Sequence, residues 1–287
     1  MRIYMMTDLE GVAGVQNSLN WTRPGQFFYP LARQLLTQEV NAAIEGFFDV
    51  GVSSILVADG HGPSGVDVQD LDPRVEYLRG WPQGWPLTME EGGFDFLVFV
   101  GQHAKSRTPC SNMTHTQNFR NLEISVNGQS IGEFGQMSMC ASELGIRTIF
   151  ASGEKALAAE AEDLFPGIET VSVKRGTRRS RGDECSEEEY RAHSQGAVHM
   201  HPQNARKKIR TGACQALKRA TKDKSFGLVP MKGPYSRTHV IRHHEGDLRR
   251  MYDVVEHSNH FAGVLNLSND NLRPVESDEH LCELLVG

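Results

Sequence analysis

No apolar run in this chain approaches the ~20 residues that a bilayer-spanning helix requires, and there is no internal repeat or low-complexity tract. The start, MRIYMMTDLEG, has neither the apolar core nor the cleavage site of a secretory signal and reads as a first strand. Paired cysteines are also missing. Cys110, Cys140, Cys185, Cys214 and Cys282 are scattered, odd in number and without a CxxC spacing. That excludes a dense disulfide framework and fits reduced thiols in the cytoplasm. Excess positive charge is absent: the formal net charge is -6. A nucleic-acid-binding domain is normally basic, so neither nucleic acid nor membrane is expected as a partner. The glycines of DLEGVAG lack the GxGxxG spacing, and its carboxylates would repel a phosphate. What remains is ordinary for a globular chain, with 39% hydrophobic and 23% charged residues over 287 positions. That length buries a full core and accommodates two domains.

The pattern along the chain alternates strands and helices. A first apolar run, Arg2 to Met6, is followed by Leu31, Leu35, Val40, Ile44 and Phe47 at helical spacing, stopped by Gly51. SSILVAD and DFLVFVG are further strands, separated by an irregular loop, LRGWPQGWPLTMEEGG. NLEISVNGQSI predicts a hairpin turning at Asn127-Gly128, and Glu133 to Leu144 a helix ended by Gly145. RTIFAS, a helix over Lys155 to Phe165 capped by Ser152, and ETVSVKR complete the series. Alternation of this kind implies an α/β fold with three layers, a mostly parallel sheet covered on both faces.

The rhythm changes near Gly182. Ser186 with Glu189 forms a capping-box signature, and Gln203 to Thr221 reads as a long helix. A strand (Thr238 to Arg242), a helix (Asp247 to Glu256), a short strand (Gly263 to Leu267) and a terminal helix (Ser277 to Val286) follow. We therefore expect a metal-binding α/β catalytic domain over 1–182 and a smaller α+β domain over 183–287, serving packing or assembly.

The chemistry concentrates at the ends of the early strands. Asp8 and Glu10 follow the first, His61 the second and His103 the third, while Glu133 opens a helix and His115 lies in the polar loop between. Ligands of open parallel sheets bind at the carboxyl ends of the strands. Each residue has a bland reading: a solvated acidic turn for DLE, a structural histidine for each His. Coincidence at three strand ends is a much weaker explanation than coincidence at one. Two His and three carboxylates suit two divalent ions of zinc type. Asp59 is read as capping its local backbone. His243-His244-Glu245, His199, His201 and the basic run from Lys174 to Arg181 are read first as solvated groups.

TDLEGVAGV, VADGHG, GQHAK-x-x-TP, NMTHT and IGEFG occur in this order. Together they resemble the M55 peptidases, zinc-dependent D-aminopeptidases, from Met1 to about Lys174. The loop between His103 and His115 departs from the family pattern, with Cys110 and Asn112 in place of a Gly-rich turn. The resemblance implies two zinc ions per subunit. Asp8 would bridge them, Glu10 and His103 would serve one ion, and His61 and Glu133 the other. It implies His115 as the catalytic residue. A neutral imidazole there would shuttle a proton or hydrogen-bond an oxyanion, oriented by Thr114, Thr116 and Asn118. It further implies short peptides as substrate, with an N-terminal D-residue such as D-Ala, and a ring-shaped homodecamer enclosing the sites. Two other classes stay open: a different two-metal amidohydrolase or phosphoesterase, and a peptide-binding transport accessory protein without turnover.

Overall fold

The computed structural model describes residues 1–81, 84–257 and 259–286. In chain order it runs β1 (Arg2–Thr7), α1 (Tyr29–Phe48), β2 (Ser54–Asp59), β3 (Glu76–Leu78), β4 (Phe96–Gln102), β5 (Asn121–Val126) and β6 (Gln129–Ser130). Then come α2 (Glu133–Glu143), β7 (Arg147–Glu154), α3 (Lys155–Leu164), β8 (Glu169–Gly176), α4 (Glu187–His193), β9 (Ala197–His199) and α5 (Pro202–Lys222). The chain finishes with β10 (Tyr235–Ile241), β11 (Met251–His257), α6 (Phe261–Asn266), β12 (Arg273–Pro274) and α7 (Asp278–Leu284). The expected α/β fold with a mostly parallel sheet is borne out.

The main sheet has the order β3-β2-β1-β4-β7-β8-β9, parallel except for the last pair. Its two faces are both buried, as the near-continuous apolar strands require. Ile3, Met5, Val98 and Val100 pack under α1 and α5 with Leu36, Val40, Phe47, Ile209 and Leu217. Tyr4, Leu97 and Phe99 face α2 and α3 with Phe134, Met137, Leu157 and Ala161. The strands are in step: Thr7 pairs with Asp59 on one side and with Val100 on the other. Residues just past these three positions therefore emerge on one edge of the sheet. Two glycines permit a close approach there. A Cβ on Gly101, whose φ is +77°, would sit 2.1 Å from the Asp8 carbonyl oxygen, and one on Gly153 would sit 1.8 Å from that of Gln102.

A second, antiparallel sheet, β12-β11-β10-β5-β6, lies beside the first. Its β5–β6 hairpin turns at Asn127 and Gly128, both at positive φ, as the Asn-Gly signal predicts. Segments beyond Gly182 enter both sheets: β9 pairs with β8, α5 packs on α1, and β10 pairs with β5.

Three local expectations are corrected. Asp247 to Glu256 is not helical: Met251–His257 is a strand, zipped to β10 from Ile241↔Met251 to Tyr235↔His257. Gly263 to Leu267 is not a strand. Phe261, Val264 and Leu265 bury one face of a short helix, whose first N–H groups donate to the Glu143 carboxylate at 2.7 and 3.2 Å. Ser152 does not cap α3, because β7 runs on to Glu154. The Ser186–Glu189 capping box is present in both halves. Most of the loop expected between β3 and β4 is irregular, and its Pro82 and Gln83 lie outside the described residues.

Candidate metal centre

Asp8, Glu10, His61, His103, His115 and Glu133 converge at the carboxyl edge of the main sheet. Asp8 leaves β1 directly, while Leu9 and Glu10 form a turn rather than continuing the strand. Both carboxylates nevertheless reach the same imidazole: His61 Nδ1 is 3.3 Å from Asp8 Oδ1 and 3.0 Å from Glu10 Oε2. The other Asp8 oxygen, Oδ2, lies 3.1 Å from His103 Nε2. Glu133, at the first position of α2, places Oε1 3.7 Å from His103 Nε2 and 3.8 Å from His115 Nε2. Asp8, Glu10 and His103 form one group tight enough to hold a cation, and His103, His115 and Glu133 form another. Distance alone therefore leaves His115 about as close to Glu133 as His103 is.

The orientation of the rings is more informative than their distances. His61 Nε2 is bonded to the carbonyl of Thr22 at 2.7 Å, His103 Nδ1 to that of Ala104 at 2.8 Å, and His115 Nδ1 to that of Met113 at 2.8 Å. A carbonyl only accepts, so each outward nitrogen carries the proton. The inward nitrogen is left to take a metal or a second proton. All three inward nitrogens face carboxylates, which in their ionised form only accept. Glu10 Oε2 and His103 Nε2 are buried without a hydrogen-bond partner among the described residues. An acceptor facing an acceptor in a buried site is unfavourable unless a cation stands between them. The oxygen and imidazole donors fit zinc.

Charge points the same way. Burial pulls His61 and His103 down, but the surrounding carboxylates outweigh it: Glu10 and Asp8 hold His61 well above the usual range, and Glu133 and Asp8 do the same for His103. Burial raises Asp8, and contact with His103 and His61 outweighs this and lowers it well below the carboxylate range. Protons attracted to this position are the ones a dication displaces on binding. His115 goes the other way. Burial lowers it first, and the neighbouring His103 charge lowers it further. Its ring is clamped between His103, with centroids 4.1 Å apart and planes at 17°, and Phe119 at 4.7 Å.

Several contributors escaped the reading of the sequence. Gln102 donates to Asp8 Oδ2 at 3.1 Å, and its place beside His103 in GQHAK was a usable signal. The Gln117 N–H donates to Glu133 Oε1 at 2.6 Å. Arg79 braces the His61 turn through the His61 carbonyl at 2.7 Å and that of Asp59 at 2.8 Å. Thr114, Thr116 and Asn118 do not bond to the His115 ring. Thr114 Oγ1 donates to the Ala104 carbonyl, Thr116 Oγ1 accepts from Ser106 N–H, and Asn118 Oδ1 accepts from Arg120 N–H.

Groups read as bland behave so. Asp59 accepts from Ser64, Gly65 and Tyr77. The segment Gly60 to Gly65 has the GxGxxG spacing. No helix follows it among the described residues, and the Gly65 N–H is spent on Asp59. His199 Nδ1 accepts from Gly14 N–H, His201 caps α5, and His244 is exposed. Lys174 departs from its expected solvated face: it is buried, whereas Arg175, Arg178 and Arg179 are exposed.

A cavity of about 460 Å³ opens over the cluster. Its lining includes the apolar side chains of Met6, Trp85, Leu87, Phe99 and Met137 and the charged ones of Arg23, Glu187 and Arg191. Such a site receives a small molecule with an apolar part and a charged end.

Comparison with known proteins gives a consistent result. Residues 1–262 match the Peptidase M55 family, described as D-aminopeptidase. A D-aminopeptidase of Bacillus subtilis (strain 168) is 30% identical over 184 residues, 63% of this chain and 66% of its own length. The chain thus matches just under two thirds of that relative. Among solved structures, the Zn-dependent D-aminopeptidase DppA from Bacillus subtilis, a self-compartmentalizing protease, superposes with a TM-score of 0.75 at 21% identity. That superposition covers 92% of this chain and 94% of the other.

Proposed function

The chain belongs to the M55 family of D-aminopeptidases, and on that premise we propose that it is a zinc-dependent aminopeptidase releasing N-terminal D-residues, such as D-Ala, from short peptides. The resemblance read from its motifs is borne out by the family match. One observation supports the metal reading above the others. Three imidazoles are fixed by backbone carbonyls so that their remaining nitrogens meet three carboxylates. Asp8, Glu10, His61, His103 and Glu133 are the residues we assign to two zinc ions, with Asp8 shared because its two oxygens face His61 and His103 separately. Bound zinc lowers the pKa of water and polarises a carbonyl, which supplies the nucleophile and the electrophile of amide hydrolysis.

The chain's own groups supply the rest. Glu133, the most open of the three carboxylates at 25% side-chain exposure, faces the cavity and can hold a substrate ammonium. The apolar side chains of Met6, Phe99 and Met137 receive the N-terminal side chain and exclude water from it. His115 lines the same space with its ring packed against His103 and Phe119, so a proton can be held at Nε2 and passed to the leaving amine. Its Nδ1 keeps its proton and donates it to the Met113 carbonyl.

The residues from 183 onward are proposed to serve packing and assembly into a ring-shaped homodecamer. Support comes from the structural relative, itself named self-compartmentalizing. A cytoplasmic setting agrees with five free cysteines, and no described helix is long and apolar enough to cross a membrane. The deciding experiment is metal analysis of the purified protein together with hydrolysis of paired D- and L-aminoacyl p-nitroanilides. Two equivalents of zinc and turnover of the D-series support the reading. Cleavage of aryl phosphates without aminoacyl amides would overturn it in favour of a phosphoesterase.

A further inference from the structure

Beneath the cluster lies a buried polar network that the proposed chemistry does not use. Glu154, the last residue of β7, is fully buried, and its two oxygens accept different backbone N–H groups: Ala104 at 2.8 Å and Asn112 at 2.6 Å. These peptides lie at opposite ends of the loop that joins His103 to His115. Ala104 is also the residue whose carbonyl takes the His103 Nδ1 proton. Asn112, one of the two positions where the loop departs from the family pattern, is itself fully buried. Its side-chain amide donates to the carbonyls of Ser194 at 3.1 Å and Gln195 at 3.0 Å, and its Oδ1 accepts from Lys174 Nζ at 2.8 Å. Lys174 Nζ in turn donates to the Val15 carbonyl at 3.0 Å, in the loop that begins with Asp8 and Glu10.

We propose that Glu154, Asn112 and Lys174 are positioning residues that lock the two loops carrying Asp8, Glu10, His103 and His115 into metal-binding register. The inference rests on the zinc reading above and extends it to residues that touch neither metal nor substrate. Each connection is specific in its chemistry. A carboxylate accepts at both oxygens, and here each oxygen takes a different N–H, whereas an amide would present a donor at one of the two positions. The ammonium is a multiple donor and joins two acceptors from separate loops. Removing either partner leaves a buried group unpaired, which the surrounding loop relieves only by moving.

The test uses full-length Glu154→Gln and Lys174→Met. The first substitution retains one acceptor oxygen and presents an amide donor to the second N–H. The second conserves bulk and removes every donor. Three readouts are taken on the folded fraction: zinc affinity by competition with a chromophoric chelator, the visible spectrum of the Co²⁺-substituted protein, and kcat against KM for a D-alanyl p-nitroanilide. The expected result is a ~10–100-fold loss of zinc affinity, the usual scale for groups that orient ligands. The cobalt spectrum should change, and kcat should fall with little change in KM. Glu154→Asp, which keeps both oxygens, should recover part of the loss. If Glu154→Gln does not fold, Lys174→Met carries the test. Variants that lose thermal stability but match the parent in zinc affinity, cobalt spectrum and kcat would overturn the positioning role and leave the zinc reading intact. A parent chain that takes up no zinc would overturn both.

Discussion

Asp8→Asn is the perturbation that tests the centre most directly, because it removes charge without removing volume. The Asp8 carboxylate faces His61 from one oxygen and His103 from the other, and it accepts from Leu9 N–H at 2.8 Å and from Gln102 Nε2 at 3.1 Å. Asn offers one oxygen and one amide donor. In either flip, one of the two imidazole-facing positions presents N–H where a metal requires a lone pair. The charge change is larger in consequence. On the two-zinc proposal, Asp8, Glu10 and Glu133 would set three negative charges against two dications, and the substitution would leave two. A unit charge at 4 Å in a site of effective dielectric 20 contributes about 4 kcal/mol, which corresponds to roughly three decades of affinity. Zinc affinity should therefore fall by ~10³-fold or more, with loss of at least one ion and of turnover. The assay is zinc content after equilibration with a chelator-buffered zinc solution, read beside D-alanyl p-nitroanilide hydrolysis. Two retained ions with turnover within a few-fold of the parent would refute the assignment of Asp8 as the shared ligand.

Other outcomes follow from the same geometry. His115→Ala should keep the zinc content of the parent and lose ~10²–10⁴-fold in kcat, the scale of a general acid–base residue; loss of an ion, measured by metal analysis, would make His115 a ligand instead. N-acetylation of a good D-Ala dipeptide should abolish its cleavage, since the charged amine contact is worth about 1.5–3 kcal/mol and the acetyl group also adds bulk; equal turnover by chromatography would point to a general amidohydrolase. A pH effect is expected away from the centre. Burial raises Glu39 to about 8, against the hydrogen bond from Ala13 N–H and the charge of Lys174. The folded state then keeps a proton that the unfolded chain loses above about 4.5, so this residue's contribution to stability declines as pH rises from there toward 8. Glu39→Gln should flatten that decline in denaturant titrations at pH 5 and pH 8, and an unchanged slope would count against a raised Glu39.

Four of the five candidate ligands were legible because they lie in short motifs at strand ends, and a parallel sheet gathers such ends on one edge; the fifth, Glu133, opens α2. DLE, DGH and GQH need only the strand register of Thr7, Asp59 and Val100 to meet. The Asn127-Gly128 turn and the α2 helix were legible for equally local reasons. What was not legible depends on contacts distant in sequence. The Thr22 carbonyl that fixes His61 lies 39 residues away and has no side-chain signature. Lys174 reads as an ordinary charge and Glu154 carries no signal, because their burial depends on loops that fold over them. In the last third, Met251, Val254 and Val255 of MYDVVEH fit a helical spacing, and Asp253 interrupts the alternation a strand would show. Pairing with β10 overrides that local pattern.

The placement of buried charge joins these points into one physical account. Fold stability alone gives no reason to set three carboxylates, two of them buried, against three imidazoles whose outward protons are already committed. A protein optimised only for packing would gain by replacing such groups with apolar ones. The main-chain carbonyls of Thr22, Ala104 and Met113 prevent the rings from turning to relieve the conflict. Glu154 holds the Ala104 peptide in turn. The conflict is therefore retained by the arrangement of the loops rather than by accident of one side chain. Its relief by a bound cation becomes binding free energy, coupled to the stability of the folded state. On this argument the zinc-loaded protein should unfold at a higher temperature than the chelator-treated one, and Asp8→Asn should remove most of that difference. A chelator-insensitive melting temperature, read by calorimetry in the parent, would mean that the loops store no such conflict and that the convergence of these six residues has another cause.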